Sequence, residues 1–106
     1  SIRALMELAP STAQVVEEDG VIEEQLVENI PIGTTIIVRP GEKIPMDSVL
    51  ISGVASINQA PITGESMPIQ KEMGDPLFAG TINEDSVIQC RVTKPDSDST
   101  LASIIR

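Results

Sequence analysis

Turn-forming residues punctuate this chain at close intervals, and that spacing constrains its fold more than any other feature. Glu18-Asp19-Gly20, Pro40-Gly41, Gly53 and Gly74-Asp75-Pro76 separate short aliphatic runs rich in Ile and Val. Proline and glycine interrupt regular elements, whereas β-branched side chains, stiff at χ1, suit strands. Short strands between frequent turns point to an all-β sandwich or barrel. At 106 residues the chain makes one domain, of a size that buries roughly two thirds of its unfolded surface. Phe78 is the sole aromatic residue, so the core has to be aliphatic.

The pattern predicts a β-hairpin from Ala13–Glu17 and Val21–Val27, because Asp-Gly is a favoured hairpin dipeptide. Thr34–Arg39 follows as a strand ended by Pro40-Gly41. Asp47–Ser52 and Val54–Ile57 read as two strands, or as one bent at Gly53. Met67–Lys71 and Leu77–Ile82 flank the Gly74-Asp75-Pro76 turn, and Ser86–Thr93 is the clearest strand. A short helix is expected at Ser1–Leu8, stopped by Pro10, and another at Leu101–Arg106 behind N-cap candidates among Asp96–Thr100. The chain therefore reads as all-β with a helical segment at each end, and it starts and stops in helix-like sequence, as a piece of a larger protein would.

Composition excludes several functions. A net charge of −9 opposes binding to nucleic acid or to an anionic lipid surface, both of which need clustered Lys and Arg. The acids Glu17, Glu18, Asp19, Glu23, Glu24 and Glu28 gather on the predicted hairpin, where solubility is the plain explanation and a basic partner the alternative. With no histidine and one cysteine, a zinc or copper site of ordinary make-up cannot be assembled, so no metal ligand is assigned. Cys90 alternates with Ile88 and Val92 on one strand face and is expected to be a buried small hydrophobe. The longest uncharged run, Ser48 to Gly64, is broken by Gly53, Asn58, Gln59 and Pro61, unlike the ~20 apolar residues of a membrane span. No signal-peptide pattern opens the chain.

Only Gln59-Ala60-Pro61-Ile62-Thr63-Gly64-Glu65-Ser66-Met67-Pro68 looks arranged for chemistry. Glu65 follows a glycine and sits between two small hydroxyl residues, while Pro61 and Pro68 stiffen the ends. Gly64 can take positive φ and let a backbone or a phosphate approach closely. A carboxylate on such a loop suits positioning a water against an electrophile. The bland alternative is a surface β-turn with a solvated acid. Pro40-Gly41-Glu42-Lys43 likewise reads either as a tight turn or as a docking point for another domain. Arg39 and Asp47 could pair across it.

With its flanks, the Thr-Gly-Glu loop resembles the conserved loop of the actuator domain of P-type ATPases. Val38-Arg39-Pro40-Gly41-Glu42-Lys43-Ile44-Pro45-Met46-Asp47 is similar to a second segment of that family, and Gly74-Asp75 with Phe78-Ala79-Gly80-Thr81-Ile82-Asn83 to a third. Order and spacing agree across nearly the whole chain. Ser48 departs from the family's usual glycine there, suggesting a turn that avoids positive φ. Gln59-Ala60-Pro61-Ile62 is closer to the zinc, cadmium, lead or cobalt pumps than to copper pumps.

The resemblance implies a distorted jelly roll on the cytoplasmic side of a membrane pump, with residues 1–9 and 99–106 as helical linkers toward transmembrane helices. It implies that Glu65 is catalytic in hydrolysing an aspartyl-phosphate carried on a separate domain, with Thr63, Gly64, Ser66, Pro61 and Pro68 shaping the loop. ATP, Mg²⁺ and the transported divalent metal would bind elsewhere in the pump, whose phosphorylation, nucleotide-binding and transmembrane parts are the expected partners. The isolated domain is expected to be an inactive monomer. Two rivals stand beside this reading: an interaction module with an acidic face, and a free-standing hydrolase using Glu65. The hydrolase lacks histidine and any nucleophile with an evident neighbouring base.

Overall fold

A computed structural model of the chain describes residues 9–64 and 67–95. The two predicted terminal helices, along with Glu65 and Ser66, lie outside the described residues. Within them are β1 (Thr12–Val16), β2 (Ile22–Leu26), β3 (Thr35–Val38), β4 (Ser48–Ser52), β5 (Ala55–Asn58), β6 (Ile69–Lys71), β7 (Pro76–Leu77), β8 (Ile82–Asn83) and β9 (Ile88–Val92). A 3₁₀ turn follows β2 at Val27–Asn29, and one helical turn, α1 (Ala60–Thr63), follows β5. The strands form two sheets, β2-β1-β3-β9-β4-β7 and β6-β5-β8, in which every pairing is antiparallel. The expected all-β class is what the molecule has.

The hairpin closes as its sequence predicts. Gly20 takes φ 87°, the Glu17 carbonyl accepts the Gly20 N–H at 2.9 Å, and the Val21 carbonyl accepts the Glu17 N–H at 2.8 Å. A left-handed glycine ending a three-residue loop is a common hairpin solution. Asp19 adds its carboxylate to the Val21 N–H at 3.1 Å.

Strand alternation places the core between the sheets. Ile36 and Leu50 flank Cys90 across the ladder, and all three are fully buried. Ile88 and Val92 share the Cys90 face, as the alternation predicts. The chain crosses between sheets at Gly53, whose φ of 95° separates β4 from β5. A side chain there would meet only ordinary contacts, the nearest being Ile88 Cγ2 at 3.6 Å, so backbone conformation and not space calls for glycine.

Two expectations are corrected. Leu77–Ile82 is not one strand: β7 pairs with β4 in the large sheet and β8 with β5 in the small one. The Ala79-Gly80 step carries the chain across, with Gly80 at φ 89°. Asp47 does not pair with Arg39. It is buried at 3% exposure, accepts the Ala79 N–H at 2.9 Å and lies 4.0 Å from the Lys94 ammonium.

Candidate functional site

The 59–68 segment connects two paired strands. Ile57 lies opposite Ile69 and Ala55 opposite Lys71, so β5 and β6 fix both roots of the connection. The sequence suggested a proline-stiffened loop or a surface β-turn; residues Ala60–Thr63 instead wind into α1. Asn58 Oδ1 accepts the Ala60 N–H at 2.9 Å, a local side-chain bond that starts a turn. Pro61 falls within the first positions of the helix, where its missing N–H costs nothing.

Gly64 ends the turn. It adopts φ 80°, ψ −3° and donates its N–H to the Ala60 carbonyl at 2.8 Å. This left-handed glycine just past the last helical residue is a standard helix stop. Thr63 fastens the turn to its start: its N–H and its hydroxyl donate to the Gln59 carbonyl at 2.9 and 3.0 Å. Thr63 and Gly64 are exposed, as are Met67 and Pro68 on the returning side, and Pro61 is half-buried. A hydrogen-bonded backbone reversal thus sits at the surface, immediately before position 65. The roles expected of Glu65 and Ser66 concern residues outside those described.

Pro40-Gly41-Glu42-Lys43 is a strapped turn. Glu42 Oε1 accepts the Arg39 N–H at 2.8 Å, and Gly41 turns with φ 85°. The Gly41 N–H donates to Asn83 O at 2.7 Å, the Asn83 N–H to Glu42 O at 2.9 Å, and the Ile44 N–H to Thr81 O at 2.7 Å. The four residues 40–43 are exposed. Asn83, with none of its surface exposed, reaches across with Nδ2 to the Val38 carbonyl at 3.2 Å and to the Ser86 carbonyl at 2.6 Å. Ser48, where the family resemblance expected glycine, needs no positive φ: it lies in β4 and donates its hydroxyl to the Met46 carbonyl at 3.1 Å.

Two of the three sequence segments, and the strand that leads into the 59–68 connection, therefore meet at β8. Ile82 of β8 bridges to Lys43 on one side and pairs with Asn58 on the other. The 40–43 turn is laterally continuous with the root of the 59–68 connection, yet its hydrogen bonds go to Asn83 and, within the turn, to Arg39. Sequence reading missed Asn58 and Gln59 as the residues that start and anchor α1. The Asn preceding Gln-Ala-Pro was the available signal for the first; Gln59 gave none. Among the described residues, no three His, Cys, Asp or Glu side chains gather as metal ligands, and no helix is long and apolar enough to cross a membrane.

Comparison with known proteins identifies the domain. Residues 7–106 match the family described as the P-type ATPase actuator domain. Over 105 residues the chain is 46% identical to a probable cadmium-transporting ATPase of Staphylococcus aureus (strain MRSA252). It is 40% identical over 105 residues to a probable cobalt/nickel-exporting P-type ATPase of Mycobacterium bovis. Those alignments take in 99% of this chain and 14% and 16% of the two relatives, so it spans a small fraction of their length. A crystal structure of a zinc-transporting PIB-type ATPase in the E2.Pi state superposes with a TM-score of 0.92 at 31% identity, covering 99% of this chain and 17% of that one. The chain belongs to the P-type ATPase actuator-domain family.

Proposed function

We propose that this chain is the actuator domain of a heavy-metal P-type ATPase, and that its 59–68 loop drives hydrolysis of the aspartyl-phosphate intermediate. Relatives described as cadmium-transporting and cobalt/nickel-exporting, and a structural neighbour described as zinc-transporting, support a divalent heavy-metal cargo. One observation carries the site reading: the Thr63-Gly64 turn is closed by four short-range hydrogen bonds donated by residues 60–64 to acceptors on residues 58–60, and it is rooted in paired strands. A carboxylate following such a turn starts from a defined point, and positioning dominates phosphoryl transfer.

In the proposed step, Glu65 orients a water and accepts its proton as the oxygen attacks phosphorus in line. The bond from phosphorus to the aspartyl oxygen breaks, releasing inorganic phosphate and restoring the aspartate on the partner domain. ATP and Mg²⁺ serve that partner, the transported metal binds among membrane helices, and this domain works on the cytoplasmic side. The strapped 40–43 turn, exposed beside the loop root, is a candidate interdomain contact. By itself the domain holds no phosphorylated aspartate and is expected to be inert.

Glu65→Gln in the full pump tests the proposal. Phosphoenzyme should form from ATP to the normal level and then decay at least a hundred-fold more slowly, on the order expected when a group positioning the attacking water is lost. Decay at the native rate would overturn the role of Glu65.

A further inference from the structure

Gln59 stands at the root of α1, and its two oxygens behave differently. The main-chain oxygen accepts both bonds from Thr63. The residue is 8% exposed, and among the described residues its side-chain Oε1 has no hydrogen-bond partner. Capping does not account for this side chain, because Gln59 makes no side-chain bond at the N-cap and Asn58 takes the Ala60 N–H instead. Packing does not account for it either. Methionine has nearly the same length and would fill the same volume without a buried, unsatisfied carbonyl, which is costly to leave unmade.

An acceptor that is orphaned in one arrangement of a turn favours any other arrangement that brings it a donor. Gln59 lies four residues before Thr63 and shares its hydrogen bonds, so a small resetting of α1 changes what faces Oε1. We infer that Gln59 is a positioning residue for dephosphorylation, its Oε1 receiving an N–H or O–H donor when the 59–68 loop docks on the phosphorylated partner and holding the turn in that docked arrangement. The inference rests on the function proposed above. A contact made only in the docked state shifts the population toward docking, whereas one made equally in both would shift nothing.

The test uses the full pump with three substitutions, Gln59→Met, Gln59→Glu and Glu65→Gln, and reads phosphoenzyme formation, phosphoenzyme decay and the thermal half-life of phosphorylation capacity. Gln59→Met removes the acceptor and keeps the volume. It should form phosphoenzyme normally, survive heating as long as the native pump or longer, and dephosphorylate at least ten-fold more slowly. Gln59→Glu retains an acceptor oxygen at the same reach and should recover most of the decay rate. Native decay in Gln59→Met overturns the inference. So does slow decay with a shortened thermal half-life, which marks a packing role, or equal slowing in the Met and Glu variants, which rules out the acceptor. Native decay in Glu65→Gln would instead overturn the underlying assignment of the loop.

Discussion

Cys90 shows how a single side chain can be read from its neighbours in sequence. Alternation with Ile88 and Val92 predicted burial, and the thiol is fully covered. Burial pushes its pKa from 9.0 up to about 12, with a smaller opposing pull from the Ser48 hydrogen bond. Because the folded-state pKa is raised, the protonated thiol's stabilising contribution is complete below pH 9.0 and drains away as pH rises toward about 12, while the unfolded chain ionises first. Equilibrium unfolding between pH 8 and 11 should therefore show a loss of stability with pH that is shallower in Cys90→Ala. Identical slopes would exclude the thiol as the cause. A thiol reagent at pH 8 should label the native chain only after denaturant is added. Asp47 was not readable in this way. Nothing local distinguishes a solvated carboxylate from one buried against the Ala79 N–H, because that partner lies 32 residues away.

At the scale of elements, the same division between short-range and long-range causes decides what the sequence displayed. The hairpin was legible because Asp19-Gly20 forces its turn locally, and the clearest strand, Ser86–Thr93, was legible because its alternation matches one buried face. Leu77–Ile82 misled because its apolar run is continuous although the chain changes sheet at Ala79-Gly80. For the candidate site, Thr63-Gly64 was visible as a reversal, but its helical form depended on Asn58 capping Ala60, and the orphaned oxygen of Gln59 depends on tertiary burial. Asn83 is the counterpart in the fold: its amide joins the end of β3 to the bend that precedes β9 by bonding the Val38 and Ser86 carbonyls. Asn83→Ala removes both donors in a buried setting and should lower the unfolding free energy by about 2 kcal/mol or more. Glu42→Ala uncovers only the exposed Arg39 N–H, which water can satisfy, and should cost less than about 1 kcal/mol. Urea unfolding of both variants checks the contrast, and equal losses would mean that Asn83 is not the hub of this region.

Over the whole molecule the charge is lopsided. The net −9 is concentrated on an exposed hairpin where Glu18, Asp19, Glu23 and Glu24 face solvent. Thr12 and Gln14 donate to Glu24 at 3.3 and 3.4 Å, and the Gln25 amide donates to Glu17 at 3.2 Å, but none of these donors carries a neutralising charge. Repulsion among like charges in water is softened by salt, because the Debye length shrinks from about 30 Å at 0.01 M to about 3 Å at 1 M. In the Asp47–Lys94 pair the carboxylate is buried at 3% exposure and shielded from those ions, while the ammonium is 52% exposed and open to them. Added salt therefore relieves the repulsion that opposes compactness while weakening little that supports it. The thermal midpoint of the chain should rise as sodium chloride increases from 0.01 to 0.5 M, and the rise should shrink when Glu23 and Glu24 are both changed to Gln. A midpoint that falls with salt would instead place net electrostatic attraction, not repulsion, behind the stability of this acidic domain.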